Sequence, residues 1–136
     1  MDIDRFKHDH VDILERIDSL RTLAHNGIMA NSHAIAQQVK ELGKVVTLHL
    51  AVEDRILYPA VQKADDPAIS AMGAAYQNEM KGIANRYIRF TNQWSDAAKV
   101  AAQPEAFRDA ANTILKEVYQ RMQRENREFY PAIERM

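Results

Sequence analysis

Apolar residues recur at alternating spacings of three and four positions along four long stretches of this chain. This is the period of one face of an α-helix, whereas a half-buried strand would alternate at every second residue. The pattern therefore predicts four amphipathic helices. Their apolar stripes are Ile3, Phe6, Ile13, Ile17, Leu20 and Ala24; Ile35, Val39, Leu42, Val46 and Ile56; Ile69, Met72, Tyr76, Ile83, Tyr87, Phe90 and Trp94; and Phe107, Ala111, Ile114, Val118 and Phe129.

Glycine and proline cluster with Asn, Asp and Ser at three places, residues 25–32, 64–67 and 101–104, which predicts three breaks between the helices. Four long helices joined by short loops favour an all-α fold, an up-down-up-down antiparallel four-helix bundle that forms a single domain over residues 1–136. The residues that suit the helix starts are Asp2, Ser32, Asp66 before Pro67, and Pro104.

Composition narrows the chemistry that such a bundle can carry. The 136 residues include no cysteine, which excludes disulfides, iron–sulfur clusters and thiol catalysis and favours a reducing, cytoplasmic compartment. A net charge of −1 argues against nucleic-acid binding, and no apolar run approaches a membrane span. We find no catalytic triad or phosphate-binding loop. Histidines and carboxylates are left as the carriers of function.

Each apolar stripe is interrupted by ionisable residues. In an antiparallel bundle these residues lie at similar distances from the loops, within about two helical turns of one level. Isolated buried charges are costly, so such a cluster needs either a metal ion or mutual pairing. With neutral histidines its charge is −2, which one divalent cation would balance. The interrupting residues are His10, His49, Glu53, Glu79, Arg121 and Glu125.

The second and fourth helices share a pattern. His49 and Glu53 are four residues apart, so they lie on one helix face and can bind the same ion. Arg121 and Glu125 repeat this spacing, and residues 49–59 align with residues 121–131. Two related helical hairpins would bring Glu53 and Glu125 to opposite sides of one site.

Both repeats also end in a Tyr-Pro pair. Tyr58 and Tyr130 lie five residues after Glu53 and Glu125, which is off the phase of the apolar stripes. We therefore expect these tyrosines to pack at the helix ends, with hydrogen bonding to the site as the alternative.

Three motifs carry a resemblance to a known family: Asp9-His10, His49-x3-Glu53-x4-Tyr58-Pro59 and Glu125-x4-Tyr130-Pro131. With these the chain resembles the hemerythrin-like (HHE cation-binding) family along essentially its whole length. In that family two histidines hold a first iron and two carboxylates bridge it to a second iron. The resemblance implies that His10 and His49 are the first-iron ligands and that Glu53 and Glu125 are the bridging carboxylates.

The ligands of the second iron do not carry over. Their positions fall near Glu79 and Ile83 and at Arg121, and an arginine cannot bind a metal because it offers only donors. Our hypothesis is one non-haem iron per chain, with Mn(II) or Zn(II) as ions that suit the same ligands. Arg121 would lie in or near the vacated second position. The candidate ligands are His10, His49, Glu53 and Glu125, with Glu79 as a further one.

The resemblance implies a protein that senses or handles oxygen, peroxide, nitric oxide or iron. One alternative is a metal-free signalling or interaction bundle in which Arg121 forms salt bridges with the glutamates. Another alternative is a carboxylate-rich di-metal protein in which Glu79 is a ligand. The residues predict no particular protein partner and do not decide whether the chain is an enzyme.

Overall fold

A computed structural model describes residues 2–136 as five continuous helices. The first three are α1, Asp4–His25; α2, residues 32–62; and α3, Pro67–Trp94. They are followed by α4, Ala97–Ala102, and α5, residues 104–134. Helix α2 joins Ser32–Val52 to Tyr58–Gln62 through a π-helical turn at Glu53–Leu57. Helix α5 joins Pro104–Arg124 to Tyr130–Glu134 through a second π-helical turn at Glu125–Phe129.

The all-α prediction is confirmed, because 87% of the structure is helical and residues 2–136 contain no strand. The four long helices contact one another in a ring: α1 packs on α2, α2 on α3, α3 on α5, and α5 on α1. Across the described residues, none of the helices combines the length and apolar character needed to cross a membrane.

The short helix α4 corrects the prediction of four helical segments. The predicted third segment continues to about residue 101, but the chain leaves its helix after Trp94. Asp96 then caps a new helix, since its carboxylate accepts a hydrogen bond of 2.9 Å from the Ala98 amide. The adjacent Ser95-Asp96 pair is a helix-start signal that the apolar pattern alone does not show.

Most of the predicted stripe residues form the core. The stripes of α1 and α5 are buried almost throughout, with Ile3, Phe6, Ile13 and Phe107 each at most 5% exposed. Helices α2 and α3 approach closely at Gly43, where a Cβ atom would lie 2.6 Å from Cγ2 of Thr91. The predicted stripes depart from the structure at positions 56 and 79, both of which bear on the candidate site.

The predicted helix starts hold at Asp66 and Pro104. Asp66 accepts a hydrogen bond of 2.9 Å from the Ala68 amide, and Pro104 occupies the first turn of α5. Ile3 occupies the cap position of α1 in place of Asp2, although the Asp2 carboxylate accepts a hydrogen bond of 2.9 Å from the Asp4 amide. Ser32 is itself the first residue of α2, and Asn31 precedes it without a side-chain cap. The side-chain amide of Asn31 instead donates to the Gly27 carbonyl at 2.8 Å, so it stabilises the preceding loop.

The assignment of Asp66 as the cap of α3 can be tested by mutation. Asp66→Ala removes the acceptor of the Ala68 amide, and we expect it to lower the free energy of unfolding by about 1 kcal/mol. Urea denaturation measures the change, and Asp65→Ala is the matched control because Asp65 is the exposed neighbour in the same loop. Equal losses in both variants would contradict the assignment of Asp66 as the cap.

Candidate metal centre

Two π-helical turns bring the key side chains of α2 and α5 to one place. Each turn adds a residue to the helical repeat, so side chains five positions apart come to share a face. Ile56, predicted to be in the core, is therefore 58% exposed, whereas Leu57 and Tyr58 are at most 1% exposed. The expectation of helix-end packing for Tyr58 and Tyr130 is wrong, because both hydroxyls lie within the cluster of ionisable groups.

His10 from α1 and His49 from α2 point their rings at each other. The Nδ1 atom of His10 donates to Asn126 Oδ1 at 2.9 Å, and Nδ1 of His49 donates to Asp9 Oδ2 at 3.0 Å. These bonds leave the Nε2 atoms of the two rings facing each other at 3.2 Å. An acceptor on the far nitrogen of each ring is the usual arrangement for histidines that bind metals.

Two buried carboxylates complete the cluster. Glu53 Oε1 lies 2.9 Å from His49 Nε2, and Glu125 Oε1 lies 3.3 Å from His10 Nε2. One ligand atom from each of the four side chains lies within 4.8 Å of all the others. His10, His49, Glu53 and Glu125 are at most 3% exposed. The structure thus brings together four of the five sequence-predicted ligands.

Burial and the neighbouring charged groups together shift the pKa values of three residues in this cluster. Burial, and then the charge of Glu125, raises the pKa of Glu53 to about 8. Burial lowers the pKa of His49, but contacts with Glu53 and then Asp9 outweigh it and raise that pKa to about 9. Burial opposes ionisation of Glu125 as well, yet His10 and Arg121 hold its pKa below the ordinary value. Without a metal ion, the site therefore retains protons at neutral pH.

The donor set fits a cation. Glu53 Oε1 is buried and lies 2.9 Å from Nε2 of His49, so it receives a hydrogen bond from that ring only when His49 is protonated on both nitrogens. When both histidines are neutral, the Nε2 lone pairs of His10 and His49 face each other, and the two buried carboxylates outnumber the one buried arginine. Two imidazoles and two carboxylates suit iron, manganese or zinc. A divalent ion would take the place of the proton and satisfy this oxygen and both ring nitrogens together.

The tyrosine of each Tyr-Pro pair contacts the glutamate of the other repeat. Tyr58, from α2, donates to Glu125 Oε2 at 3.4 Å, and Tyr130, from α5, donates to Glu53 Oε2 at the same distance. This reciprocal exchange agrees with the pseudo-twofold relation predicted from residues 49–59 and 121–131. The two ends differ, since Tyr130 also lies 3.0 Å from His10 Nε2.

Arg121 occupies the half of the cluster opposite the histidines. Its Nη2 donates to the Tyr76 carbonyl at 2.7 Å and to the Tyr58 hydroxyl at 3.2 Å. The guanidinium also lies 4.3 Å from the centre of the Tyr76 ring, and Nε is 3.9 Å from Glu125 Oε2. Arg121 was predicted at this position, but Tyr76 was predicted only as a core residue and Asn126 was not predicted at all. Tyr76 holds Arg121, and Asn126 holds His10.

Glu79 does not face the core, and on that point the stripe prediction is wrong. Its side chain is 47% exposed and pairs with Arg121 at 3.2 Å and with Arg124 at 2.6 Å. The buried stripe of α3 runs through Gly73, Tyr76, Met80 and Ile83, so position 80 takes the place predicted for 79. The buried charge is therefore less negative than the predicted −2.

Comparison with known proteins gives one positive result. The family model described as "Hemerythrin HHE cation binding domain" matches residues 1–133. Searches of curated proteins and of solved structures gave no match.

Proposed function

Because the chain belongs to the hemerythrin HHE cation-binding domain family, we propose that it binds one iron ion per chain in the cluster of His10, His49, Glu53 and Glu125. The family match supports metal binding, and the cluster supplies two nitrogen and two carboxylate ligands. Glu79 would have to move inward to bind the same ion, since two arginines hold its carboxylate at the surface.

One observation carries this proposal: the two Nε2 atoms face each other at 3.2 Å while both Nδ1 atoms are bonded to acceptors. Two neutral imidazoles in this arrangement direct lone pairs at each other, which is unfavourable unless a cation or a proton lies between them. Asp9 and Asn126 therefore orient the two rings for a shared ligand rather than for each other.

The other half of the cluster favours one ion over two. Arg121 already fills the space beside Glu125 and Tyr58 with a positive charge that cannot be lost. Its guanidinium is fixed by the Tyr76 carbonyl and stacked on the Tyr76 ring. A second ion would have to displace this arginine from a site where it is 2% exposed. A carboxylate-rich di-metal centre is thus the less favoured alternative.

We further propose that residues 1–136 form a single domain in which the four long helices run up-down-up-down. The ring of helix contacts and the crossed tyrosines agree with this topology. When bound, iron would supply redox chemistry and open positions for small ligands such as oxygen, peroxide or nitric oxide. The residues around it orient the histidines and exclude bulk water. The role proposed is sensing or handling of such ligands, or of iron itself, in the cytoplasm.

A metal-free structural role is the second candidate, and the bonding of Arg121 favours it. A buried network of Arg121, Tyr58, Glu125 and Tyr76 can exist without any ion. This network does not include the histidine half, where the Nε2 atoms of His10 and His49 face each other beside Glu53. Metal content distinguishes the two candidates.

Anaerobic loading with Fe(II), followed by elemental analysis of the desalted protein, tests the proposal. We expect about one iron per chain in the wild type and a loss of stoichiometric binding in His10→Ala, because this variant removes one of only two imidazole ligands. His8→Ala is the matched control, since His8 is exposed on the same helix.

A wild type that stays free of metal after loading would establish the structural role instead. A value near two iron ions per chain would overturn the single-ion proposal in favour of the di-metal alternative. Equal iron content in His10→Ala and the wild type would place the ion elsewhere. Parallel loading with Mn(II) and Zn(II) tests the choice of iron.

A further inference from the structure

We propose that Tyr130 supplies a fifth, phenolate ligand to the metal ion in this cluster. The inference rests on the proposed function, since it requires an ion between His10 and His49. It adds an oxygen ligand that neither the spacing of the motifs nor the set of four candidate ligands includes. It also separates the roles of the two Tyr-Pro tyrosines, which the sequence repeat makes equivalent.

The position of the Tyr130 hydroxyl carries the argument. It lies 3.0 Å from Nε2 of His10, the atom that faces His49, and 3.4 Å from Oε2 of Glu53. An oxygen atom at these distances from two candidate ligand atoms belongs to the same small group of donors. Tyr130 is 0% exposed, so no water competes for its hydroxyl from bulk solvent.

The fold holds the ring in this position. Its face stacks on the His10 ring with centroids 5.2 Å apart and an interplanar angle of 30°. Phe6 packs against the ring at 6.5 Å, and Phe129 at 6.1 Å. The π-helical turn at Glu125–Phe129 places Tyr130 on the same side of α5 as Glu125. Tyr130 therefore reaches the cluster because of this turn.

Tyr58 is in the equivalent position but has different neighbours. Its hydroxyl accepts a hydrogen bond of 3.2 Å from Arg121 and donates to Glu125 at 3.4 Å. The arginine stands where the repeat places His49 in the other half, so Tyr58 faces a fixed guanidinium in place of an imidazole. A cation at Tyr58 would be repelled by Arg121, whereas the Tyr130 hydroxyl lies beside the His10 imidazole and the Glu53 carboxylate, both of which are candidate ligands.

Charge balance agrees with a phenolate in the ferric state. Glu53, Glu125 and a Tyr130 phenolate bring three negative charges to the ion, which matches Fe(III). Arg121 lies beside Glu125 as well, and it is also paired with exposed Glu79. On coordination the O–H bond of Tyr130 is exchanged for an oxygen–metal bond and the proton passes to the buffer. Tyrosinate is an established type of iron ligand in proteins.

The test is spectroscopic. Wild-type protein, Tyr130→Phe and Tyr58→Phe are loaded with Fe(II), oxidised with ferricyanide, desalted and analysed for iron content. We expect the wild type and Tyr58→Phe to show a visible phenolate-to-iron charge-transfer band, with tyrosinate ring modes in the resonance Raman spectrum. Tyr130→Phe is expected to bind iron and to lose both signals.

The outcomes separate this inference from the proposed function. Wild-type protein that holds iron without the band overturns the Tyr130 ligand and leaves the metal site standing. Loss of the band in Tyr58→Phe with retention in Tyr130→Phe also overturns it. A wild type that takes up no iron overturns the proposed function itself.

A second measurement tests the proposal without Tyr130→Phe, in case that variant folds poorly. Wild-type protein labelled with ring-deuterated tyrosine should show shifted Raman modes if a tyrosinate is bound, and shifted modes that persist in Tyr58→Phe exclude the other tyrosine of the cluster. Unshifted modes in the labelled protein would overturn the proposal.

Discussion

Replacing Arg121 by methionine is expected to cost the metal-free protein about 3–5 kcal/mol of unfolding free energy, because it removes one partner from a buried charged network. Methionine retains most of the length of the side chain, so the loss reflects charge and hydrogen bonds more than volume. The Tyr76 carbonyl and the Tyr58 hydroxyl each lose a donor, and Glu125 loses its nearest fixed positive charge. Urea denaturation of chelator-treated protein measures the change.

Arg124→Met is the matched control. Arg124 also pairs with Glu79 and lies 5.2 Å from the Tyr76 ring centre, but its side chain is 44% exposed. We expect its replacement to change stability by less than about 1 kcal/mol, as is usual for a surface ion pair. Equal losses of stability in the two variants would contradict this prediction. They would mean that the buried network around Arg121 stabilises the fold no more than a surface ion pair does.

The metal-free protein is expected to lose a few kcal/mol of stability as the pH rises through neutrality, with the largest loss between pH 4.5 and about 9. Glu53 titrates at about 8 in the folded state against an ordinary 4.5, so the folded protein keeps a proton that the unfolded chain releases. His49 has a pKa of about 9 in the folded state against an ordinary 6.5, so it also destabilises the folded protein as the pH rises, over a higher pH range. Stability that depends on these protons is lost as they leave.

Urea midpoints of chelator-treated protein at pH 5, 7 and 9 measure the slope of stability against pH. Glu53→Gln should flatten it, because glutamine stays neutral over the whole range, while Glu15→Gln on the exposed face of α1 should leave it unchanged. A midpoint that rises with pH in the wild type would contradict the assignment. Bound metal should also flatten the slope, since the ion replaces the retained protons.

The parts of the fold that depend on a regular helical period could be predicted from sequence. The stripes of α1 and α5, the burial of His10 and Arg121, and the approach of Glu53 to Glu125 all follow from spacings of three and four residues. Equal chain lengths on either side of the loops place these groups at one level. The ionisable positions could be found because charged residues are so costly in a core that their presence needs a reason.

The parts that were missed depend on departures from that period. Ile56 leaves the core and Tyr58 enters it because the π-helical turn shifts the phase by one residue, and the apolar pattern of α2 gives no warning of this. At position 79 the sequence offers both Glu79 and Met80 as fits to the stripe, and only the packing of the folded chain buries Met80 and leaves Glu79 exposed. Asn126 lies off the α5 stripe, so no periodicity points to it.

The two π-helical turns mean that the centre is encoded by local helical geometry as well as by the identities of its residues. Five residues separate Glu53 from Tyr58 and Glu125 from Tyr130 because each interval contains a π-helical turn. Deleting one residue inside such a turn would let it close to a regular α-helical turn, in which a spacing of four keeps the tyrosine on the same face as the glutamate. An alignment of homologous chains should therefore allow a one-residue gap inside this interval, since a chain with four residues there can present the same side chains to the cluster.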